Sequence, residues 1–472
     1  MKQESPIPAE LWDQIPPAVQ AALLVVFQRY EQRIAALDQR VRDLEEQLRQ
    51  NSTNSSRPPS SDPPAVKRAP PRTPSGRRRG GQPGHQLQQR PLLPADHTHI
   101  LRPGICRGCG HALSGTDPSP LRHQILELPA IRPEVTEYQL HRLNCPRCGL
   151  STCATLPAGV PRGGQGPRLQ AVLALMTGAY RLSKRMVQTF CNDVFSVPIC
   201  AGQVCALEAQ TAAATEPVVV ELRDYVREQP ANVDETGWRQ QHRRGWLWTT
   251  VTATVTVFRI ALSRAAWVAR ELVDPSAGQV ITTDRFPSYR WLPLRQHQLC
   301  WAHLVRDFQA MVDRANAGST IGEELLCCGQ DLFTWWYRVR DGTLSRSTFQ
   351  RKVGELRPWV REQLEAGSAC GCAKTEAVCR ELLEVEPALW TFVRVEGIEP
   401  TNNAAERALR HAVMWRKTSY GTHSEVGSQF VANILSIVAT CRQQGRNVLE
   451  FLTECRRAGL QDCASPSLLP RT

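Results

Sequence analysis

Residues 231–262 read ANVDETGWRQQHRRGWLWTTVTATVTVFRIAL, and residues 278–284 read GQVITTD. The first stretch opens with a short apolar run that ends in the carboxylate of Asp234, which predicts a short strand. Its second half alternates threonine with valine or alanine through 250–257 and is too long for one strand, so it is expected to fold into a hairpin. The later stretch predicts a buried strand that ends in Asp284. Strands alternating with helical segments in this order predict a mixed sheet with flanking helices, an α/β fold.

Length, charge and cysteine content limit the class of protein. The chain has 472 residues and a formal net charge of +12, which predicts several domains and suits a polyanionic partner such as nucleic acid. An arginine-rich proteome is the alternative source of that charge. No stretch has the ~18 continuous apolar residues of a membrane span, and no secretory signal is visible, so we expect a cytoplasmic protein with no membrane partner. Its 17 cysteines are then expected to be metal ligands or buried thiols.

The N-terminal segments are predicted from periodicity and composition. Apolar residues recur at alternating spacings of four and three through residues 20–50, which predicts one helix. That pattern is typical of a short self-associating coiled coil, or of a helix packed on its own domain. Residues 51–95 are rich in Pro, Ser and Gly and predict a linker. Three of its basic residues are DNA-contact candidates on an unfolded arm, with incidental linker charge as the alternative: Arg77, Arg78 and Arg79.

Two C-x-x-C-G turns predict a zinc site within residues 96–160. The four cysteines are Cys106, Cys109, Cys145 and Cys148. The spacing within each pair lets both sulfurs face one point, and two pairs complete a closed, tetrahedral, structural Zn²⁺ site. Some nearby histidines are alternative ligands: His97, His99, His111 and His141.

Three acids that are far apart in the sequence predict a site for divalent ions. Asp234 and Asp284 end predicted strands, and Glu406 lies in an early turn of a helix expected to begin near residue 401. Asn402 or Asn403 could cap that helix. Hydrolysis of a phosphodiester without a covalent intermediate can use two Mg²⁺ ions, or Mn²⁺ in their place, held by such carboxylates.

Other polar residues near these acids are candidates for supporting roles. His303 could assist catalysis, or it could form a hydrogen-bond network at a helix start with Asp307, four residues later. Basic residues that follow Glu406 could hold DNA phosphates or be ordinary surface charge: Arg410, Arg416 and Lys417.

Several long segments resemble the DDE transposases of insertion-sequence family sixty-six (IS66). They are VDETGWR, TDRFPSYRW, RQHQLCWAHLVRDF, EPTNNAAERALRHAVMWRKTSYGTHSEVGSQFVANILSIVATCRQQGRNVLEFL, NSSRPPSSD, RRGGQPGH and the paired C-x-x-C-G. The resemblance covers nearly the whole chain in family order. It implies a ribonuclease-H-like catalytic core in which Asp234, Asp284 and Glu406 are the catalytic acids. It also implies an enzyme that cleaves and transfers DNA strands at the terminal inverted repeats of its own element.

The resemblance also implies a set of partners, and two alternative functions stand beside it. The expected partners are the element ends, target DNA, further copies of the chain and accessory proteins of the same element, in a bacterial cytoplasm with nucleoid association on DNA. A nuclease of the same fold that does not join strands is one alternative, and a non-catalytic DNA-binding regulator is another.

The expected domain order follows from the motifs and the resemblance together. It is a coiled-coil helix (1–50), a basic linker (51–95), a zinc-binding module (96–160), a helical connector that could bind DNA (161–230), the first part of the catalytic core (231–306), a helical insertion (307–395), the second part of the core (396–458) and a tail (459–472).

Overall fold

The computed structural model describes residues 7–55, 62 and 91–470. The predicted DNA contacts at Arg77, Arg78 and Arg79 lie outside the described residues. The chain divides into two units, one comprising residues 1–66, 139–188 and 200–472, the other residues 67–138 and 189–199.

Helices and one small hairpin precede the main sheet. In chain order they are α1 (Ala9–Trp12), α2 (Pro17–Arg49), β1 (Arg142–Asn144), β2 (Ser151–Cys153), α3 (Pro167–Gly178), α4 (Lys184–Phe195) and α5 (Ala201–Arg227). The predicted N-terminal helix is therefore confirmed as α2, in which no described residue is buried. Near its C-terminal end, Glu46 pairs with Arg314 at 2.9 Å, and Asp43 pairs with Lys374 at 3.1 Å.

The central sheet has five strands and mixes two pairing directions. They are β3 (Ala231–Gln240), β4 (Arg243–Val251), β5 (Thr256–Ala261), β6 (Ile281–Thr283) and β7 (His297–Leu299), with α6 (Ala266–Leu272) between β5 and β6. Their order across the sheet is β5-β4-β3-β6-β7. Strands β3, β4 and β5 are antiparallel, whereas β6 and β7 run parallel to β3. The predicted hairpin is confirmed as β4–β5.

The prediction that a short strand ends at Asp234 is wrong. Strand β3 continues six residues beyond that position, because its antiparallel pairing with β4 extends from Asn232 to Gln240. The parallel pairing with β6 stops at Asn232 opposite Thr282, two residues before the aspartate. Asp234 therefore lies just beyond the parallel pairing of β3 and β6, but in the middle of its own strand.

Eight α-helices follow the sheet within the described residues, and the last of them ends at Gln461. They are α7 (Trp301–Asp313), α8 (Ser319–Arg340), α9 (Arg346–Gly367), α10 (Ala373–Glu384), α11 (Thr391–Arg394), α12 (Asn403–Ser419), α13 (Glu425–Gln443) and α14 (Val448–Gln461). The first of them begins directly after β7, six residues before the expected start of the insertion. Helices α7 to α11 share an apolar core that includes Trp301, Trp336, Phe349 and Phe392.

Each face of the sheet packs on its own apolar cluster. One face contributes Trp238, Leu247 and Phe258 to a cluster with α5, α12 and α13. The other face contributes Val233 and Trp248 to a cluster with α6. Because side chains alternate between the faces of a strand, Asp234 lies on the first face and Glu235 on the second. Within the described ranges, no helix has the length and apolar character needed to cross a membrane.

Candidate active site

Strand register brings two of the predicted acids together. Ala231 pairs with Ile281, and Asn232 pairs with Thr282, in the parallel ladder between β3 and β6. Extending that register by two residues sets Asp234 opposite Asp284, and neighbouring strands lie about 4.8 Å apart. Each carboxylate also accepts a local backbone hydrogen bond, from Glu235 N at 2.8 Å and from Phe286 N at 2.9 Å, respectively. The two aspartates are therefore neighbours at the same edge of the parallel pairing.

Glu406 is placed beside this edge by bonds between the start of α12 and the sheet. The side-chain amide of Asn402 donates to the Val233 carbonyl at 2.8 Å, and that of Asn232 donates to the Thr401 carbonyl at 3.2 Å. Asn402, one of the two predicted caps, occupies the N-cap position of α12, but its side chain makes no cap hydrogen bond and contacts β3 instead. Glu406 lies in the first turn of the helix fixed in this way.

Neighbouring negative charges act on Asp234. The pKa of Asp234 is raised well above its usual value, first by burial and then by the negative charges of Glu235, Asp284 and Glu406. The carboxylates of Asp284 and Glu406 therefore lie close enough to Asp234 to disfavour its ionised form. Such a concentration of carboxylate charge favours a hard divalent cation, which binds carboxylate oxygens and lowers the repulsion.

The three acids do not form a single tight ligand cluster. Within the described ranges, the one group of three or more possible ligand atoms that all lie within 4.8 Å of one another is Cys300, His303 and Glu406. A site with two ions about 4 Å apart does not require its three carboxylates to meet that criterion, because each ion can be held by a different subset of them.

A fourth acid, which sequence reasoning missed, lies beneath the site on the other face of β3. The side chain of Glu235 is fully buried, accepts a hydrogen bond from Arg264 Nε at 2.8 Å and forms an ion pair with Nη2 of the same arginine at 2.6 Å. The Tyr289 hydroxyl donates to its other oxygen. Burial raises the pKa of Glu235, and the charge of Asp284 raises it further, while Tyr289 and Arg264 lower it. The buried charge of Glu235 is stabilised because both of its carboxylate oxygens have hydrogen-bond donors.

Arg264 also holds the loop that follows Asp284. Its guanidinium lies 3.3 Å from the ring centroid of Phe286, and its carbonyl accepts a hydrogen bond from the Ser288 hydroxyl. Since Glu235 follows Asp234 directly, one arginine connects the residues next to both aspartates. A cation over an aromatic face adds to the ion pair in fixing this loop.

Arg264→Ala is expected to destabilise the core by roughly 3 kcal/mol, the lower end for a broken buried pair, because Arg264 is itself partly exposed while Glu235 is left unpaired. Glu235→Gln in the same background should restore part of that loss by removing the buried charge. The measurement is urea unfolding followed by tryptophan fluorescence, since Trp248 packs edge-on against Tyr289. Strictly additive effects of the two substitutions would contradict the assigned pairing.

The remaining predicted residues occupy different environments. His303 Nε2 lies 3.7 Å from a Glu406 oxygen, whereas Asp307 pairs with Arg285 at 2.6 Å. Arg416 donates to the Thr236 hydroxyl at 3.2 Å and to the Gly237 carbonyl, so its guanidinium is committed to β3. The other two basic candidates on α12 are exposed: Arg410 and Lys417.

The two C-x-x-C-G segments fold into turns with the same backbone pattern. The Cys106 amide donates to the His111 carbonyl at 2.8 Å, and the Gly110 amide donates back to the Cys106 carbonyl at 2.9 Å. The second turn repeats both bonds, from Cys145 to Leu150 and from Gly149 to Cys145, each at 2.9 Å. The backbone φ is +74° at Gly110 and +73° at Gly149, a left-handed conformation that glycine adopts more readily than other residues.

Hydrogen bonds to sulfur accompany this turn geometry. Backbone amides of Gly108 and Cys109 lower the pKa of Cys106, and backbone amides of Cys148 and Arg147 lower that of Cys145. Lowering a thiol pKa favours the thiolate, which is the form that binds metal. Each turn by itself therefore has the local chemistry of one half of a zinc site.

Comparison with known proteins assigns two of these regions. Residues 165–430 match the family described as "Transposase IS66 family", and residues 103–149 match the "zinc-finger binding domain of transposase IS66". Residues 8–91 match a family of unknown function, DUF6444.

One curated relative is similar over part of its length. A segment of 161 residues is 29% identical to "Uncharacterized protein y4qI" of Sinorhizobium fredii (strain NBRC 101917 / NGR234). That segment spans 33% of this chain and 29% of the relative.

The family match covers the sheet with Asp234 and Asp284, helices α7 to α11 and all of α12 with Glu406. The zinc-finger match covers all four predicted cysteines and supports a structural zinc. Together, these two matches and the motifs that they contain show that the chain belongs to the IS66 family of transposases.

Proposed function

We propose that this chain is a DDE transposase that cleaves DNA at the ends of its insertion sequence and joins those ends to target DNA. The observation that carries the proposal is geometric: the β3–β6 register sets Asp234 opposite Asp284, and hydrogen bonds from Asn402 and Asn232 hold the start of the helix with Glu406 against β3. The order and pairing of the five strands support a ribonuclease-H-like core.

The three carboxylates would hold two Mg²⁺ ions, or Mn²⁺, which when bound activate the attacking hydroxyl and stabilise the leaving oxygen. Asp234 and Asp284 supply ligands from adjacent strands, whose rigid backbone fixes their separation. Glu406 supplies a ligand from a helix that Asn402 fastens to β3. The Glu235–Arg264–Tyr289 network keeps the neighbouring backbone in place without joining the ligand set.

The proposed DNA contacts are distributed along the chain. The exposed Arg410 and Lys417 follow Glu406 on α12 and can reach a phosphate backbone beside the acids. Arg416 contributes by holding α12 against β3, and its contacts there favour that role over a direct phosphate contact. The zinc module, with Cys106, Cys109, Cys145 and Cys148 as ligands, and the basic arm at Arg77, Arg78 and Arg79 would hold the element ends.

We also propose that the active form contains more than one copy of the chain. The apolar seam predicted in α2 remains outside the core, and several of its members are exposed: Tyr30, Ile34, Leu37, Val41, Leu44 and Leu48. A helix of 33 residues with such a seam can bury it against a second copy. Two copies would allow both element ends to be paired in one complex, with accessory proteins of the same element as further partners.

The proposed function is tested by incubating the full chain with a labelled element end, target plasmid and Mg²⁺. We expect nicks at the element's 3′ ends followed by joined products. Cleavage without joining would favour the nuclease alternative, and binding without cleavage would favour a regulator.

A further inference from the structure

A second kind of ligand set shares Glu406 with the proposed catalytic acids. Possible ligand atoms of Cys300, His303 and Glu406 all lie within 4.8 Å of one another. His303 Nε2 and Glu406 Oε1 are 3.7 Å apart. In a tetrahedral zinc site with bonds of about 2.0–2.3 Å, ligand atoms are separated by about 3.4–3.6 Å. Small side-chain movements would therefore bring the three ligands to this geometry.

Backbone contacts hold the two helix starts that carry these ligands. The backbone N–H of Asn402 donates to the Cys300 sulfur at 3.1 Å, and the backbone N–H of Trp301 donates to the Pro400 carbonyl at 2.9 Å. Cys300 precedes the first residue of α7, and His303 lies in its first turn. The cluster is therefore placed by regular structure rather than by mobile surface side chains, which favours ligand sites with fixed geometry.

Two polar atoms of the cluster are buried without a hydrogen-bond partner. They are His303 Nδ1 and Glu406 Oε1. A buried polar atom without a partner costs free energy, so Glu406 Oε1, which faces His303 Nε2, favours an ion or water at its position, whereas Nδ1 lies on the other side of the imidazole ring. The side chains of these two residues keep 17% and 26% exposure, which leaves a path for an ion from solvent.

We propose that Cys300, His303 and Glu406 bind one thiophilic divalent ion of the Zn²⁺ class. Sulfur, imidazole and a single carboxylate form the ligand set that zinc prefers, whereas Mg²⁺ prefers oxygen ligands and retained water. The fourth position would be taken by water. The Cys300 thiol would release its proton to solvent when the ion binds to its sulfur.

Occupation of this site would take Glu406 from the Mg²⁺ ligand set. We therefore infer that zinc inhibits DNA cleavage by competing for that shared carboxylate, a consequence that rests on the proposed transposase function. The binding itself does not rest on it, because the ligand atoms are close together whatever reaction the chain performs.

The direct test is zinc content of the full chain after equilibration with micromolar free Zn²⁺. Cys300→Ser and, separately, His303→Asn should each contain one zinc fewer per chain than the unsubstituted protein. Cys441→Ser is the matched control, since Cys441 is equally buried and contributes to no such ligand group within the described ranges. The Co²⁺-loaded Cys300→Ser variant should also show less thiolate-to-Co²⁺ charge-transfer absorption than the Co²⁺-loaded unsubstituted protein.

Equal zinc content in all four proteins would overturn the proposal. The His303→Asn variant keeps the test decisive if loss of the buried thiol prevents folding.

Inhibition provides an independent readout. The Zn²⁺ concentration that halves Mg²⁺-dependent cleavage should rise by at least about tenfold in Cys300→Ser and His303→Asn, each compared with its own zinc-free rate. Unchanged inhibition together with lost zinc would refute the competition while keeping the site. A chain that binds the extra zinc but never cleaves DNA would instead contradict the proposed function.

Discussion

Asp234→Asn is expected to lower cleavage and joining of element ends by at least about 1000-fold, which corresponds to roughly 4 kcal/mol of barrier. The amide removes one anionic ligand from the pocket in which Asp284 and Glu406 also act on Asp234. An amide is a weaker ligand for Mg²⁺ than a carboxylate, so the ions would be lost or displaced. Binding of the element end should remain, because the proposed DNA contacts are made by other residues.

The same substitution is expected to stabilise the fold when no divalent ion is bound to the three acids. The pKa of Asp234 is raised in the folded state, so its contribution to stability is fully present below its unfolded value and is lost as pH rises through the folded value. At pH 8, Asp234→Asn should therefore raise the free energy of unfolding, because the amide carries no charge to be buried beside the other acids. The gain should shrink as pH falls.

Activity and thermal unfolding measured on one preparation check both effects. Asp331→Asn, at an exposed position on α8, is the matched control and should change neither. Cleavage close to the unsubstituted rate in Asp234→Asn would refute the assignment of the acid site. Loss of stability at pH 8 would contradict the proposed charge repulsion.

Cys145→Ser is expected to remove one equivalent of zinc and to weaken binding of the element end by at least about tenfold. A four-thiolate zinc site contributes much of the folding free energy of a small zinc module, so loss of one thiolate releases the ion and disorders that module. The catalytic sheet has its own core and should keep its thermal transition.

Metal analysis and fluorescence anisotropy with labelled element ends provide the two measurements. Cys153→Ser is the control, because Cys153 lies five residues after the second C-x-x-C pair and its thiol contacts the Leu140 carbonyl. We expect it to keep its zinc and its DNA affinity. Unchanged zinc content in Cys145→Ser would remove this residue from the ligand set.

Local sequence patterns predicted the strands and helices well because their information is short-range. The β-branched run predicted the β4–β5 hairpin, and the apolar periodicity predicted α2. The position of Asp234 within its strand was predicted wrongly, because the extent of β3 depends on its pairing with β4 rather than on its own composition.

The supporting contacts of the site could not be predicted from one sequence. Glu235 lies 29 residues from Arg264 and 54 from Tyr289, and Asn402 lies 169 residues from its partner Val233. Nothing in the local sequence distinguishes these residues from surface charges or helix caps.

The pairing between α2 and the helices after the sheet shows the same limit. Lys374 and Asp43 are separated by 331 residues, and each reads as ordinary helix-surface charge in its own segment. Only the folded chain shows that the end of α2 is held at that place.

The central claim is that Asp234, Asp284 and Glu406 share one divalent-ion pocket. Crystals of the full chain soaked in Mn²⁺ and measured by anomalous scattering test it most directly. We predict one or two strong peaks bonded to oxygens of these three side chains, and no such peak in Asp234→Asn crystals. Manganese bound only away from the three acids, or the same peaks in the variant, would contradict the account.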